Sequence, residues 1–328
     1  MMKSNNIQNS KRLTATFKNN SISRRNFCRG MAAASAGIMA SPPAFSNNHK
    51  YSRIDIHAHI GLPALRDDSL DTKRLLDWMD ENNIEKAVVL ALVSPEGFYY
   101  QISNEHVLET TRNHRDRLLP FVDIDPRQSY VDTRSTISER LKQYQDQGAV
   151  GVGEHKCGVP IDDPGNLEVF AAAGDLELPF LFHIDSERNT DKPGLPGLEK
   201  ALQVAPNAVF IGHAQGWWAS VSGNCRQEDL GVYPKGPVTS GGAIDRLFDT
   251  YPNLYGDLSA GSGNNAITRD MEWGREFLIR RADRLLFGTD CLGVGQNVPQ
   301  LTSLEKFNLP DEVMKKICRS NAEKVLGL

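Results

Sequence analysis

The chain has 328 residues, 37 of them Lys or Arg and 41 Asp or Glu, a length that accommodates one large domain or two ordinary ones. Outside the first 46 residues no Lys/Arg cluster occurs, which argues against nucleic acid or an anionic membrane as a partner. The four cysteines of that region, Cys157, Cys225, Cys291 and Cys318, are too few for a disulfide scaffold, although an oxidising compartment would permit a bridge.

Residues 1–46 carry Lys3, Lys11, Arg12, Lys18, Arg24, Arg25 and Arg29 and no acidic residue. The apolar run Met31–Ala40 follows, then "SPPAFS". A basic region, a short apolar region and a small-residue exit form the pattern of a cleaved signal peptide. The pair Arg24 and Arg25 immediately ahead of the apolar run resembles a twin-arginine export signal. Ten apolar residues are too few to span a bilayer, which takes about 20. The expected mature protein is therefore periplasmic or secreted, free of the membrane after cleavage, and formed by residues 47–328. Without the seven leader cations it has 30 basic against 41 acidic residues, a formal charge near −11.

From residue 53 short aliphatic runs alternate with longer amphipathic ones. The predicted strands are Arg53–His57, Ala87–Leu92, Leu118–Val122, Val150–Gly153, Pro179–Phe182, Ala208–Gly212, Leu254–Asp257 and Leu285–Gly288, each bounded by Gly, Pro, Asp or Asn. Between them, "TKRLLDWMDENN", "NEHVLETTRNH", "VDTRSTISERLKQYQDQ", "LPGLEKALQVA" and "MEWGREFLIRRA" place apolar residues at helical spacing. Asp71 is placed to cap the first of these helices, Gly148 follows the third, and "YPN" at 251–253 closes the sixth. Strand then helix, repeated eight times, predicts parallel strands with crossover helices, and at this size a single-domain (β/α)8 TIM barrel. An open doubly wound sheet is the alternative, with no G-x-G-x-x-G after a strand to favour it.

The spacing between the sixth and seventh strands is longer than the rest. The extra segment, residues 214–242, carries Trp217 and Trp218, which could wall a pocket or cover core. "PDEVMKKICRSNAEKVLGL" at the C-terminus reads as a closing helix pair.

Polar residues at the C-terminal ends of barrel strands have a functional reading first. His57 and His59 end the first strand in "IDIHAHIG" and point the same way, because side chains alternate along a strand. Glu154 ends the fourth, His183 the fifth, His213 the sixth and Asp290 the eighth. Two converging imidazoles suit a divalent metal. Lys156 faces the same side as Glu154, and His155 the other. Cys157 and Cys291 adjoin the site without a base to activate them.

This ordered set resembles the amidohydrolase superfamily, specifically its amidohydrolase-related metal-dependent branch, and the resemblance runs from "DIHAHIG" to "SNAEKVLGL". It implies a TIM barrel in which His57, His59, His183 and Asp290 are metal ligands and His213 binds a second ion or polarises the substrate. Many members carry a carboxylated lysine at the end of strand four and some a glutamate. Glu154 is the favoured ligand here, with Lys156, Trp217 and Trp218 as substrate-binding candidates. The implied cofactor is a divalent ion, zinc by expectation, in one or two copies.

The expected reaction is hydrolysis of an amide, ester or lactone carbonyl by metal-activated water, with Asp290 as base and His213 beside the developing oxyanion. A non-oxidative decarboxylase on the same ligands is the enzymatic rival. A non-catalytic periplasmic metal- or ligand-binding barrel is the rival of another kind. Lys156, Arg127 and Arg188 near strand ends suggest an anionic small-molecule substrate. A homo-oligomer is compatible with the sequence.

Overall fold

The eight aliphatic runs become eight parallel strands: β1 Arg53–Ala58, β2 Ile84–Leu90, β3 Leu118–Val122, β4 Gly151–His155, β5 Phe180–His183, β6 Phe210–His213, β7 Leu254–Asp257 and β8 Leu285–Leu286. The computed structural model describes residues 52–62, 64–130 and 136–328, so the predicted export signal lies outside the described residues. Each strand pairs with the next in sequence order. Ile56 N donates to Phe287 O and His59 N to Cys291 O, joining the last strand to the first. The sheet therefore curls into a (β/α)8 TIM barrel, and the open doubly wound alternative is set aside.

The predicted helices form between the strands: α1 Thr72–Glu81, α2 Asn104–Thr111, α3 Ile137–Asp146, α5 Pro196–Val204 and α9 Met271–Arg280. Asp71 caps α1 by accepting from Arg74 N at 2.8 Å. Gly148 follows α3 at φ +100°, a left-handed stop that glycine takes without a Cβ penalty. α4, Pro164–Asp175, is absent from the predicted helices because its Val, Phe, Ala and Gly are buried around most of its circumference, leaving no narrow apolar stripe to read. α7 is Ala243–Thr250 and α8 is Ala260–Thr268.

Two separate apolar clusters result. Inside the barrel, Ile54, Ile56, Val88, Leu90, Leu119, Phe121, Leu181, Ile211, Tyr255 and Leu286 pack together. The outward-facing residues of the same strands, such as Leu118, Phe180, Phe210 and Leu254, pack against the helices. The expected closing helix pair is instead one helical run over 311–326 with a π turn at Lys316–Ser320. Its Ala322 joins the barrel interior. Arg319 of the same run pairs with Glu85 Oε2 at 2.6 Å beside the start of β2, so the run plugs the N-terminal mouth. Among the described residues no helix is long and apolar enough to cross a membrane.

Candidate metal centre

At the other mouth the inward positions change from apolar to polar within one or two residues. Leu181 is followed by His183, Ile211 by His213 and Tyr255 by Asp257 on the same face. Two positions need more than alternation. The β1–β2 pairing shifts register between Asp55 and Ala58, so His57 turns inward directly after the inward Ile56. The β4–β5 pairing shifts between Val152 and His155, which brings Glu154 inside although Val152 faces the helices.

His57 Nε2 and His59 Nε2 lie 3.2 Å apart. Each is 3.6 Å from Glu154 Oε2, and Asp290 Oδ1 is 3.4 Å from the first and 3.5 Å from the second. A tetrahedral ion with bonds of about 2.0–2.2 Å has ligand–ligand edges of about 3.3–3.6 Å. The separations match that figure. The outer nitrogens agree: His57 Nδ1 meets Asp257 Oδ2 at 2.7 Å, and His59 Nδ1 meets Leu90 O at 3.0 Å. In their neutral, ligating form both imidazoles would carry the proton on Nδ1 and turn lone pairs toward the two carboxylates, a convergence that fits a cation. Glu154 Oε2 is buried without a hydrogen-bond partner, with the Lys156 ammonium 3.2 Å away as its ion-pair neighbour. The residues present therefore fit a divalent ion.

A second group shares the same carboxylate. Glu154 Oε1 faces His183 Nδ1 at 2.7 Å and His213 Nε2 at 3.7 Å. Glu154 groups with His183 and His213 through Oε1, while its Oε2 lies 3.6 Å from both His57 and His59, the disposition of a bridging ligand. His213 Nδ1 is held by Asp257 Oδ2 and Ser259 Oγ, both at 3.0 Å, and His183 Nε2 by Asp185 Oδ2 at 2.8 Å.

The charges of the site balance one another through side-chain contacts. Burial opposes ionisation of Glu154, but Lys156, His183 and His57 outweigh it and hold its pKa well below the usual carboxylate range. Asp257 is likewise held down, against burial, by hydrogen bonds from His213 and His57. Burial resists protonation of His57, yet Asp290 and Asp257 raise its pKa well above the ordinary value. Asp290, against burial, is brought to about 2 by His57 and His59. Burial and the neighbouring His57 push His213 down.

A cavity of about 500 Å³ opens over these groups, lined by His183, His213 and Asp290 together with Lys156, Asp185 and Arg188. Tyr233, supplied by the long β6–β7 segment, also lines it. Three non-glycine residues in the left-handed region, Ala214, Ala260 and Asp290, follow the ends of β6, β7 and β8 at this mouth. Such backbone costs on the order of 1–3 kcal/mol and persists where surrounding contacts fix it, commonly at functional sites.

Several predicted positions fall elsewhere. Trp217 and Trp218 do not line the cavity. Trp217 is fully buried behind β6 against Phe182 and Phe248, over Gly212, where an added Cβ would lie 2.5 Å from its ring. The Trp218 indole donates to Asp257 O at 2.8 Å. The first turn after β6, Gln215–Ala219, folds the tryptophans back onto the core, which sequence spacing does not reveal. Trp217→Ala is accordingly expected to lower unfolding free energy by about 3–5 kcal/mol, measured by denaturant titration, with metal content per folded chain unchanged. Arg127 is turned onto Glu96 and Asp125, with contacts of 2.5–2.9 Å, whereas Arg188 does line the cavity, paired there with Asp185 at 2.7 Å. His155 is buried on the outer face of β4 between Asp123 and Asn166. Cys157 and Cys291 are buried free thiols whose pKa values burial raises, Cys291 to about 12, so neither is an activated nucleophile. The sequence gives Asp257 no site role, although it ends β7 at the level of the candidate ligands on the other strands. Asp185 and Ser259, two residues beyond strand ends, gave no such signal.

Fold and site together define a TIM barrel with a candidate metal-ligand set at its C-terminal mouth. The chain belongs to the amidohydrolase family, whose sequence pattern matches residues 54–328. No curated protein matches it by sequence. Among solved structures it is similar to 2,6-dihydroxybenzoate decarboxylase from Rhizobium, with 17% identity and TM-score 0.51 over 84% of this chain and 99% of that one. A probable 2-pyrone-4,6-dicarboxylic acid hydrolase from Acinetobacter baumannii gives 14% identity and 0.52 over 84% and 100%. A dihydroxybenzoic acid decarboxylase from Polaromonas, with bound manganese, gives 17% and 0.53 over 85% and 97%. At these identities the likeness is one of fold.

Proposed function

We propose that the protein is a metal-dependent hydrolase that adds water to an amide, ester or lactone carbonyl of a small molecule. The observation that carries this reading is the convergence of His57, His59, Glu154 and Asp290 at the floor of an open cavity. These residues would hold a divalent ion, zinc in our reading, which when bound would lower the pKa of a water to about 7 and polarise a carbonyl oxygen. Asp290 differs from the three ligands beneath it in reaching the cavity: its side chain is 31% exposed, against 2% or less for the other three. It accepts the proton released as water adds to the substrate carbon. His213, fixed through Nδ1 by Asp257 and Ser259, turns the lone pair of Nε2 toward the side of Glu154 Oε1, where it would help to hold a second ion. Lys156 borders the cavity with its ammonium paired to Glu154. The leader sequence makes the periplasm the proposed place of work.

Turnover of a panel of aryl and aliphatic esters, lactones and carboxylates in oxygen-18 water tests the reaction class. Label in the product carboxylate without carbon dioxide release is the expected result. Carbon dioxide release without label would make the protein a decarboxylase. No turnover of any compound by a metal-loaded chain would favour the non-catalytic barrel.

A further inference from the structure

The N-terminal turn of α8 has features that the metal chemistry does not use. Its sequence, Ser259-Ala260-Gly261-Ser262-Gly263, lies directly after β7, and both Ala260 and Ser262 line the cavity that holds Asp290, His183 and His213. A serine at the position before a helix ordinarily accepts from the exposed first-turn amides. Ser259 does not: its hydroxyl is taken by Asp257 Oδ2 at 2.6 Å and by His213 Nδ1, and it makes no capping bond. The first amide of the turn with a carbonyl partner is that of Gly263, bonded to Ser259 O at 3.1 Å. Among the described residues the amides of Ala260, Gly261 and Ser262 have no acceptor.

A second observation points independently to a ligand. Ser262 is 3% exposed, and its hydroxyl is cut off from solvent with no hydrogen-bond partner. A buried hydroxyl left unpaired costs about 1–3 kcal/mol, which a bound acceptor would recover. Gly261 keeps the approach narrow but open, since a Cβ there would lie 3.0 Å from the Tyr233 hydroxyl. Free amides at a helix N-terminus, with the positive end of the helix dipole behind them, favour an anion.

We propose that this turn anchors a carboxylate substituent of the substrate, received by the free amides of the α8 N-terminus and by Ser262 Oγ. The assignment rests on the cavity's being the substrate site and adds the substrate class to it: a small molecule with a carboxylate set apart from the reacting carbonyl. A carboxylate suits the turn better than a phosphate monoester. Both cations of the cavity, Lys156 and Arg188, already have carboxylate partners, so the turn offers dipoles and a hydroxyl rather than an unpaired positive charge.

The test is calorimetric binding of benzoate, and separately of inorganic phosphate, to the full metal-loaded chain and to three variants, with metal content measured on the same samples. Ser262→Thr keeps a hydroxyl and is expected to bind benzoate as the parent does. Ser262→Ala is expected to bind at least about tenfold more weakly. Ser262→Asp seats the protein's own carboxylate on the amides and is expected to abolish binding while raising the melting temperature. Equal benzoate affinity in all four proteins, or no benzoate binding by the parent, would overturn the proposal. Phosphate bound in preference to benzoate, with the same dependence on Ser262, would overturn the carboxylate assignment. Metal content reads the hydrolase reading separately. A chain without bound metal that still holds benzoate through Ser262 would end that reading and leave the anchor standing.

Discussion

Asp290→Asn is expected to lower kcat by about 10²–10⁴-fold at saturating metal, the usual contribution of a positioned general base. Asparagine has nearly the same volume and keeps one oxygen for the 3.4 and 3.5 Å approaches that Asp290 Oδ1 makes to His57 and His59. It has no second carboxylate oxygen to take a proton on the cavity side. Metal content measured by atomic spectrometry should therefore stay near that of the parent while turnover falls. His57→Ala should behave differently and lose metal together with activity, because its Nε2 sits at the centre of the ligand set. A metal-saturated Asp290→Asn protein as fast as the parent would remove Asp290 as the base, and His213 would take its place as candidate.

Glu154→Gln carries the second large effect, on the number of ions. The carboxylate directs Oε2 at His57 and His59 and Oε1 at His183 and His213. Glutamine offers one acceptor oxygen and one amide nitrogen, so one of the two groups would face N–H donors instead of a ligand. The parent is expected to hold up to two divalent ions per chain and the variant fewer, with activity falling alongside. The substitution also leaves the Lys156 ammonium, 3.2 Å from Oε2, without its carboxylate. Burying an uncompensated charge is costly, so Lys156 would be expected to swing toward the cavity. One ion in both proteins with unchanged turnover would assign Glu154 to holding Lys156 and His183 in place rather than to ligation.

The barrel was legible in the sequence because a parallel strand buried on both faces reads as a short aliphatic run, and eight such runs separated by helical patterns leave little choice of topology. The candidate ligand positions were legible for a related reason. Six polar side chains ending five of those runs break an otherwise apolar pattern, and a buried polar group that nothing satisfies is too costly to be accidental.

What the sequence could not supply was the direction of side chains wherever alternation fails. Strict alternation from Val152 would have sent Glu154 out toward the helices, and only the register shift in the β4–β5 pairing brings it to the barrel axis. Trp217 and Trp218 looked like pocket walls because they lie just beyond β6, but the turn at Gln215–Ala219 folds them behind the strand. Asp257, Asp185 and Ser259 acquire their roles through contacts with histidines far away in the chain, including Asp257 to His57 across 200 residues. Period and composition are local properties and fix which residues are buried. Which buried group meets which is set by closure of the barrel, and only the tertiary structure decides it.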